Sequence, residues 1–229
     1  MSSRIAPGLS ALLWDVDGTL TDTTALITES LDFTYRKNFG RTLPDSELRA
    51  LIGTPLRMQI RVFGEPEEFG VEPQAAMEDF VQHYERNKAR ERILEPVVAL
   101  LIRGKREGLP TVLVTSKNHE ELRNTLPRLQ IADYVDFAVT ADDVQNPKPD
   151  PEGLKQALCR LGISGQSAVF IGDTVHDMRA ARLAGVRGIG VTWGAATRAQ
   201  LEMEDPATIC ESPQNLEALL FVHASSEHE

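Results

Sequence analysis

The chain has 229 residues, 41% hydrophobic and 25% charged, a balance that suits a folded globular protein long enough to bury a substantial core. A formal net charge of −10 argues against a nucleic-acid partner, which needs a basic face. No apolar stretch approaches the roughly 20 residues of a membrane span and the N-terminus carries no secretion signal, so no membrane partner and a cytoplasmic location are expected.

In chain order, Ala11 to Trp14 form an apolar run that ends in Asp15-Val16-Asp17 and Gly18. The run predicts a short buried strand, with the backbone turning out of it at the glycine. Side chains at i and i+2 of a strand share a side, so Asp15 and Asp17 project together if the extended conformation continues. Two carboxylates so placed repel unless a cation or a shared proton offsets their charge, and Mg2+, which prefers oxygen ligands, suits such a pair. A strand end with two solvated aspartates is the alternative.

Residues 24–91 read as about four helices inserted after this strand. The first ends at Gly40. Pro44-Asp45-Ser46 starts a second, which Gly53 ends, and Thr54-Pro55-Leu56 starts a third that runs to about Gly64. Met77, Phe80, Val81 and Tyr84 mark the apolar face of the fourth. From about residue 93 helices and strands alternate. Helices are predicted over 96–106, 119–128, 151–161 and 176–184, with strands over 111–115, 136–140, 168–171 and 187–191. A last pair falls near 207–210 and 213–222, and the polar tail from His223 to Glu229, including His228, is expected to be frayed and solvated. Cys159 and Cys210 lack metal-ligand spacing and are expected to be reduced, buried thiols. This alternation implies a doubly wound, Rossmann-like α/β fold: a parallel sheet core with an inserted small α-helical cap domain. The core would comprise residues 1–22 and 93–229 and the cap 23–92.

Ligands of such sheets bind beyond the carboxyl ends of the strands. Those positions hold Asp15 and Asp17, then Thr115-Ser116-Lys117, then Lys148 between two prolines, then Gly172-Asp173-Thr174-Val175-His176-Asp177. Taken singly, the hydroxyls could be helix caps, the lysine a solvated group and the acids partners of a helix dipole. Together they supply an acidic cation site, a hydroxyl, backbone amides and one directed ammonium, a set suited to a phosphoryl group held over a metal.

The four segments, in this order, resemble the four motifs of the haloacid dehalogenase superfamily. The helical insert resembles that superfamily's cap, and Gly53-Thr54-Pro55-Leu56 and the Pro-Lys-Pro-Asp-Pro run resemble phosphoglycolate phosphatases and related pyrophosphatases. Thr-Ser-Lys-Asn departs from the more usual Thr-Asn-Lys of the second motif. The resemblance implies catalytic roles for Asp15 (nucleophile), Asp17 (acid and base), Thr115 and Lys148. It implies phosphate contacts from Ser116 and Lys117, with Gly18 in the turn beside them. Asp15, the Asp17 carbonyl and Asp173 would hold Mg2+, and Asp177 would orient the metal site or Lys148. Thr54 and Arg57 of the cap would face the substrate, Arg57 meeting a second anionic group. The expected activity is Mg2+-dependent hydrolysis of a small phosphate ester, phosphoglycolate-like or pyrophosphate, by a monomer or homodimer. A phosphomutase related to β-phosphoglucomutase and a non-catalytic binding protein on this scaffold are the alternatives.

Overall fold

The computed structural model describes residues 3–223; His228 and the rest of the tail beyond His223 lie outside them. The chain opens with β1 (Ser3–Ile5) and β2 (Ala11–Trp14) and passes through β3 (Thr21–Asp22) into four helices. These are α1 (Thr24–Phe39), α2 (Asp45–Leu51), α3 (Leu56–Gln59) and α4 (Pro73–Asn87). The chain returns through β4 (Arg92–Ile93) to α5 (Glu95–Arg106), β5 (Thr111–Val114), α6 (His119–Leu129) and β6 (Phe137–Val139). There follow α7 (Glu152–Leu161), β7 (Ala168–Gly172), α8 (Val175–Ala184) and β8 (Arg187–Val191). The described chain closes with α9 (Arg198–Glu202), β9 (Thr208–Cys210), α10 (Pro213–Leu220) and β10 (Phe221–His223).

Among the described residues, six strands form one parallel sheet in the order β6-β5-β2-β7-β8-β9. From β2 the chain builds outward to β5 and β6, then crosses back to build β7, β8 and β9 on the other side. The order therefore reverses at β2, and a crevice opens at its carboxyl end. The period of two along β2 divides the core. Leu12 and Trp14 join Leu101 of α5, Leu122 of α6 and Leu216 of α10 on one face. Ala11 and Leu13 join Leu154 of α7 and Ala180 of α8 on the other. A strand covered on both faces must be apolar throughout, which is why the 11–14 run carries no polar alternation.

The chain departs from the predicted elements in several places. The third predicted helix stops at Gln59 rather than near Gly64, and residues beyond it form turns. The 213–222 helix ends at Leu220, because Phe221 to His223 pair antiparallel with Ser3 to Ile5. His223 thus lies in a strand, not a frayed tail. Cys210 is buried but Cys159 is exposed, since it falls on the outer side of α7. β3 and β4, both unpredicted, pair Thr21 with Ile93 and Asp22 with Arg92, so α1–α4 leave and rejoin the sheet at one point. Those helices bury their own cluster of Ile27, Leu31, Tyr35, Leu48, Ile52 and Phe80, into which Ala195 of the β8–α9 loop also reaches. Among the described residues no helix is long and apolar enough to cross a membrane.

Candidate active site

The pairing of β2 with β7 continues one residue past the strand, where the Asp15 N–H donates to the Ile171 carbonyl at 2.9 Å. This fixes Asp15 at the strand tip. Beyond it the backbone folds back on the Val16 carbonyl, which accepts from the N–H groups of Thr19, Leu20 and Thr21. Asp15 and Asp17 are therefore not side by side on one extended strand. The Asp15 carboxylate enters a buried acidic cluster with Asp173 and Asp177, whose ligand oxygens lie within 4.8 Å of one another. The Asp17 carboxylate is held elsewhere, by the Lys117 ammonium at 2.8 Å and the Thr23 hydroxyl at 3.1 Å. Of the four expected metal residues, Asp17 has its side chain outside the cluster.

Lys148 neutralises the cluster. Its Nζ donates to Asp15 Oδ1 and Asp177 Oδ1, each at 2.6 Å, and to the Val114 carbonyl at 3.3 Å, which uses its three protons. Burial alone would lower its pKa, but the two carboxylates outweigh burial and hold the ammonium above its usual value. Asp177 is fixed from the other side by a capping box, in which Oδ2 accepts from the Thr174 N–H at 2.9 Å and the Thr174 hydroxyl at 2.6 Å. Asp173 is cradled. Its Oδ1 accepts from the Thr19 hydroxyl at 3.1 Å and its Oδ2 from the Ala195 N–H at 2.7 Å. Gly18 and Gly194 close against it, and a Cβ on either would lie 2.1 Å from Asp173 Oδ2. The Gly18 N–H is spent on the Thr21 carbonyl, so Gly18 serves this close approach rather than a ligand.

Three carboxylates around one ammonium leave excess negative charge in a buried space. Burial raises the pKa of Asp15 to about 7, with Lys148 opposing the shift and Asp177 adding to it. Burial, then Asp177 and Asp15, push Asp173 well above the carboxylate range. A hard divalent cation among these oxygens would relieve that crowding, and all-oxygen donors fit Mg2+. The residues present fit such an ion.

A cavity of about 320 Å³ opens over this cluster, between the helices α1–α4 and the sheet. Of the residues singled out in the sequence, Asp15, Asp17, Thr115, Ser116, Lys117 and Thr54 line it. Arg57 does not: in the single turn of α3, Leu56 and Gln59 face the cavity, so Arg57 falls on the exposed side. The Ser116 hydroxyl donates to the Gly53 carbonyl at 2.5 Å, and His176 Nε2 lies 3.2 Å from the Ala50 carbonyl, so the insert rests directly on the sheet loops. Thr19 reads in the sequence as part of the turn with Gly18 and Thr23 as part of a hinge, but their side-chain contacts, and the parts played by Gly194 and Ala195, went unread. Gly194 follows β8 and so obeys the strand-end rule, but the Ala195 contact is a backbone N–H that any residue would supply.

The sequence model of the haloacid dehalogenase-like hydrolase family matches residues 12–191. A pyrophosphatase, PpaX, from Bacillus velezensis is 30% identical over 91% of this chain and 94% of its own. Phosphoglycolate phosphatase 1 of Pseudomonas aeruginosa is 29% identical over 90% of this chain and 77% of its own. The crystal structure of a hydrolase from Pseudomonas syringae superposes with a TM-score of 0.79 at 25% identity, covering 90% of this chain and 95% of that one.

Proposed function

The chain belongs to the haloacid dehalogenase-like hydrolase family, and from that premise we propose that it is a Mg2+-dependent phosphatase of a small phosphate ester. The observation that carries this reading is the separate seating of two carboxylates beside one cavity. Asp15 lies in the ion cluster against Lys148, and Asp17 lies outside it with Lys117 and Thr23. A nucleophile needs neutralised surroundings and an accessible lone pair, whereas an acid that later acts as base needs freedom from the metal's charge.

In this reading Lys148 holds Asp15 Oδ1, and Asp15 Oδ2 attacks phosphorus. The phosphorus–oxygen bond to the leaving group breaks as Asp17 protonates that oxygen, leaving an acyl phosphate on Asp15. Asp17, now a carboxylate, takes a proton from a water that attacks the same phosphorus. Inorganic phosphate departs and Asp15 is restored. Thr115 and Ser116 line the path of the phosphate oxygens, and Lys148 offsets charge as it passes to the transferring group. Asp15 and Asp173 would hold Mg2+, with the Asp17 carbonyl, and the ion would supply charge neutralisation for the phosphoryl oxygens. Asp177, with Lys148 on one oxygen and Thr174 on the other, is a positioning residue.

The names of the two relatives suggest pyrophosphate and phosphoglycolate as first substrates to assay. Purified protein should release phosphate from p-nitrophenyl phosphate or one of these with Mg2+, should stop with EDTA, and should be inactive as Asp15→Asn. Activity that survives Asp15→Asn would sink the covalent route. Isomerisation of a sugar phosphate without net phosphate release would assign the site to a phosphomutase instead.

A further inference from the structure

The wall of the cavity opposite the acidic cluster is apolar. Ile27, Ile52, Leu56, Phe80, Val81 and Tyr84 line it, all from the α1–α4 insert. Val81, 44% exposed, is a large apolar side chain in this lining. At about 320 Å³ the cavity falls within the range of about 300–1,000 Å³ usual for organic ligands, so it has room for a body beyond the phosphate.

The charges along the rest of the lining disfavour a second anion. Carboxylates come from Glu85, Glu91, Glu120 and Glu121, and cations only from Lys88 and Lys117 among the described residues. Each of those cations is already matched, Lys88 to Glu85 at 2.6 Å and Lys117 to Asp17 at 2.8 Å. Glu91 is paired with Arg128 behind the lining, which leaves Glu120 and Glu121 as lining carboxylates without an ion pair among the described residues. No arginine is among the described residues lining the cavity, which removes the bidentate partner that a carboxylate or second phosphate would use. Such a group would lose water against Phe80 and Leu56 and would meet neutral polar side chains such as Gln59, Asn118 and Asn124, but no unmatched cation among the described lining residues.

We infer that the substrate is a phosphate monoester whose alcohol part is apolar, of about ring size, and free of any second anionic group. This rests on the phosphatase reading above and narrows it: pyrophosphate and phosphoglycolate both place a second negative group where the cavity's charged lining is mostly carboxylate and its two lysines are already matched.

The test compares kcat/KM for 2-phenylethyl phosphate, phosphoglycolate and pyrophosphate with Mg2+, with p-nitrophenyl phosphate as a general probe of phosphatase activity. 2-Phenylethyl phosphate is expected to exceed the other two by at least about tenfold, since even one methylene in an apolar pocket gives about that much. A preference for phosphoglycolate or pyrophosphate would overturn the inference and leave the phosphatase intact. Hydrolysis of none of the four would overturn both. A second arm uses Val81→Lys, an exposed position whose fold is checked by thermal melting. Adding a cation to the apolar wall should shift the ratio of 2-phenylethyl phosphate to phosphoglycolate by about tenfold toward phosphoglycolate. An unchanged ratio would count against the inference.

Discussion

Asp15 sits where burial and neighbouring carboxylates resist its ionisation, and its pKa of about 7 makes the metal-free protein sensitive to pH. In the unfolded chain the same group titrates near about 4. Between those values the unfolded chain has released a proton that the folded chain keeps, so the stability of the metal-free protein falls as pH rises through the window. A divalent cation removes the penalty on the ionised form. Mg2+ is therefore expected to raise Tm more at pH 8 than at pH 5, and equal shifts at both would refute the assignment of the ion to this cluster. Asp17 belongs to a different balance. Asp17→Asn keeps the hydrogen-bonding shape toward Thr23 and loses the proton carrier, so kcat should fall by about 10²–10⁴ while KM changes little, as steady-state kinetics would report.

Several elements meet at glycines that have no space for a side chain. Gly18 lies at φ +76° with Asp173 directly where a Cβ would go. Gly18→Ala should displace Asp173, raise the Mg2+ concentration needed for half-maximal activity by about tenfold, and depress kcat, as a metal titration of the variant would show. Gly53 lies at φ +91° with the Thr174 hydroxyl 2.8 Å from that position, and its carbonyl receives the Ser116 hydroxyl. Gly53→Ala should hold the α2–α3 turn off the sheet and change kcat and KM together. At this scale the long apolar strands were legible in the sequence, because β2, β5 and β7 must be hydrophobic on both faces. The motif residues were legible because they follow those strands. The short strands outside the large sheet, β1, β3, β4 and β10, were not, having too few residues to show a period. β10 was hidden in particular, since Leu219 to Val222 continues the apolar run of α10 and only pairing with β1 turns it into a strand. Arg57 shows the opposite case: its chemistry fits an anion, but its place in a one-turn helix is decided by Leu56 and Gln59, and it lies on the exposed side.

On the scale of the molecule, the β1–β10 pair fastens the two ends of the described chain over the α5 side of the sheet. Phe221 is 1% exposed within the core cluster, with the Arg103 guanidinium 3.9 Å from its ring centroid. Phe221→Ala should cost about 3–5 kcal/mol by chemical denaturation while leaving kcat at low temperature unchanged, since Phe221 touches nothing at the cavity. The β3–β4 clasp has a different reach. Thr21 and Ile93 are direct partners, so α1–α4 leave and rejoin the rest of the chain at adjacent points. In the proposed reading the residues that would act on phosphorus lie on one side of that clasp, and the hydrocarbon that would meet the rest of the substrate lies on the other. Reaction and recognition can thus be inherited separately: substitutions accumulating within the hanging helices can redirect the enzyme to a new ester while the reacting carboxylates stay as they are.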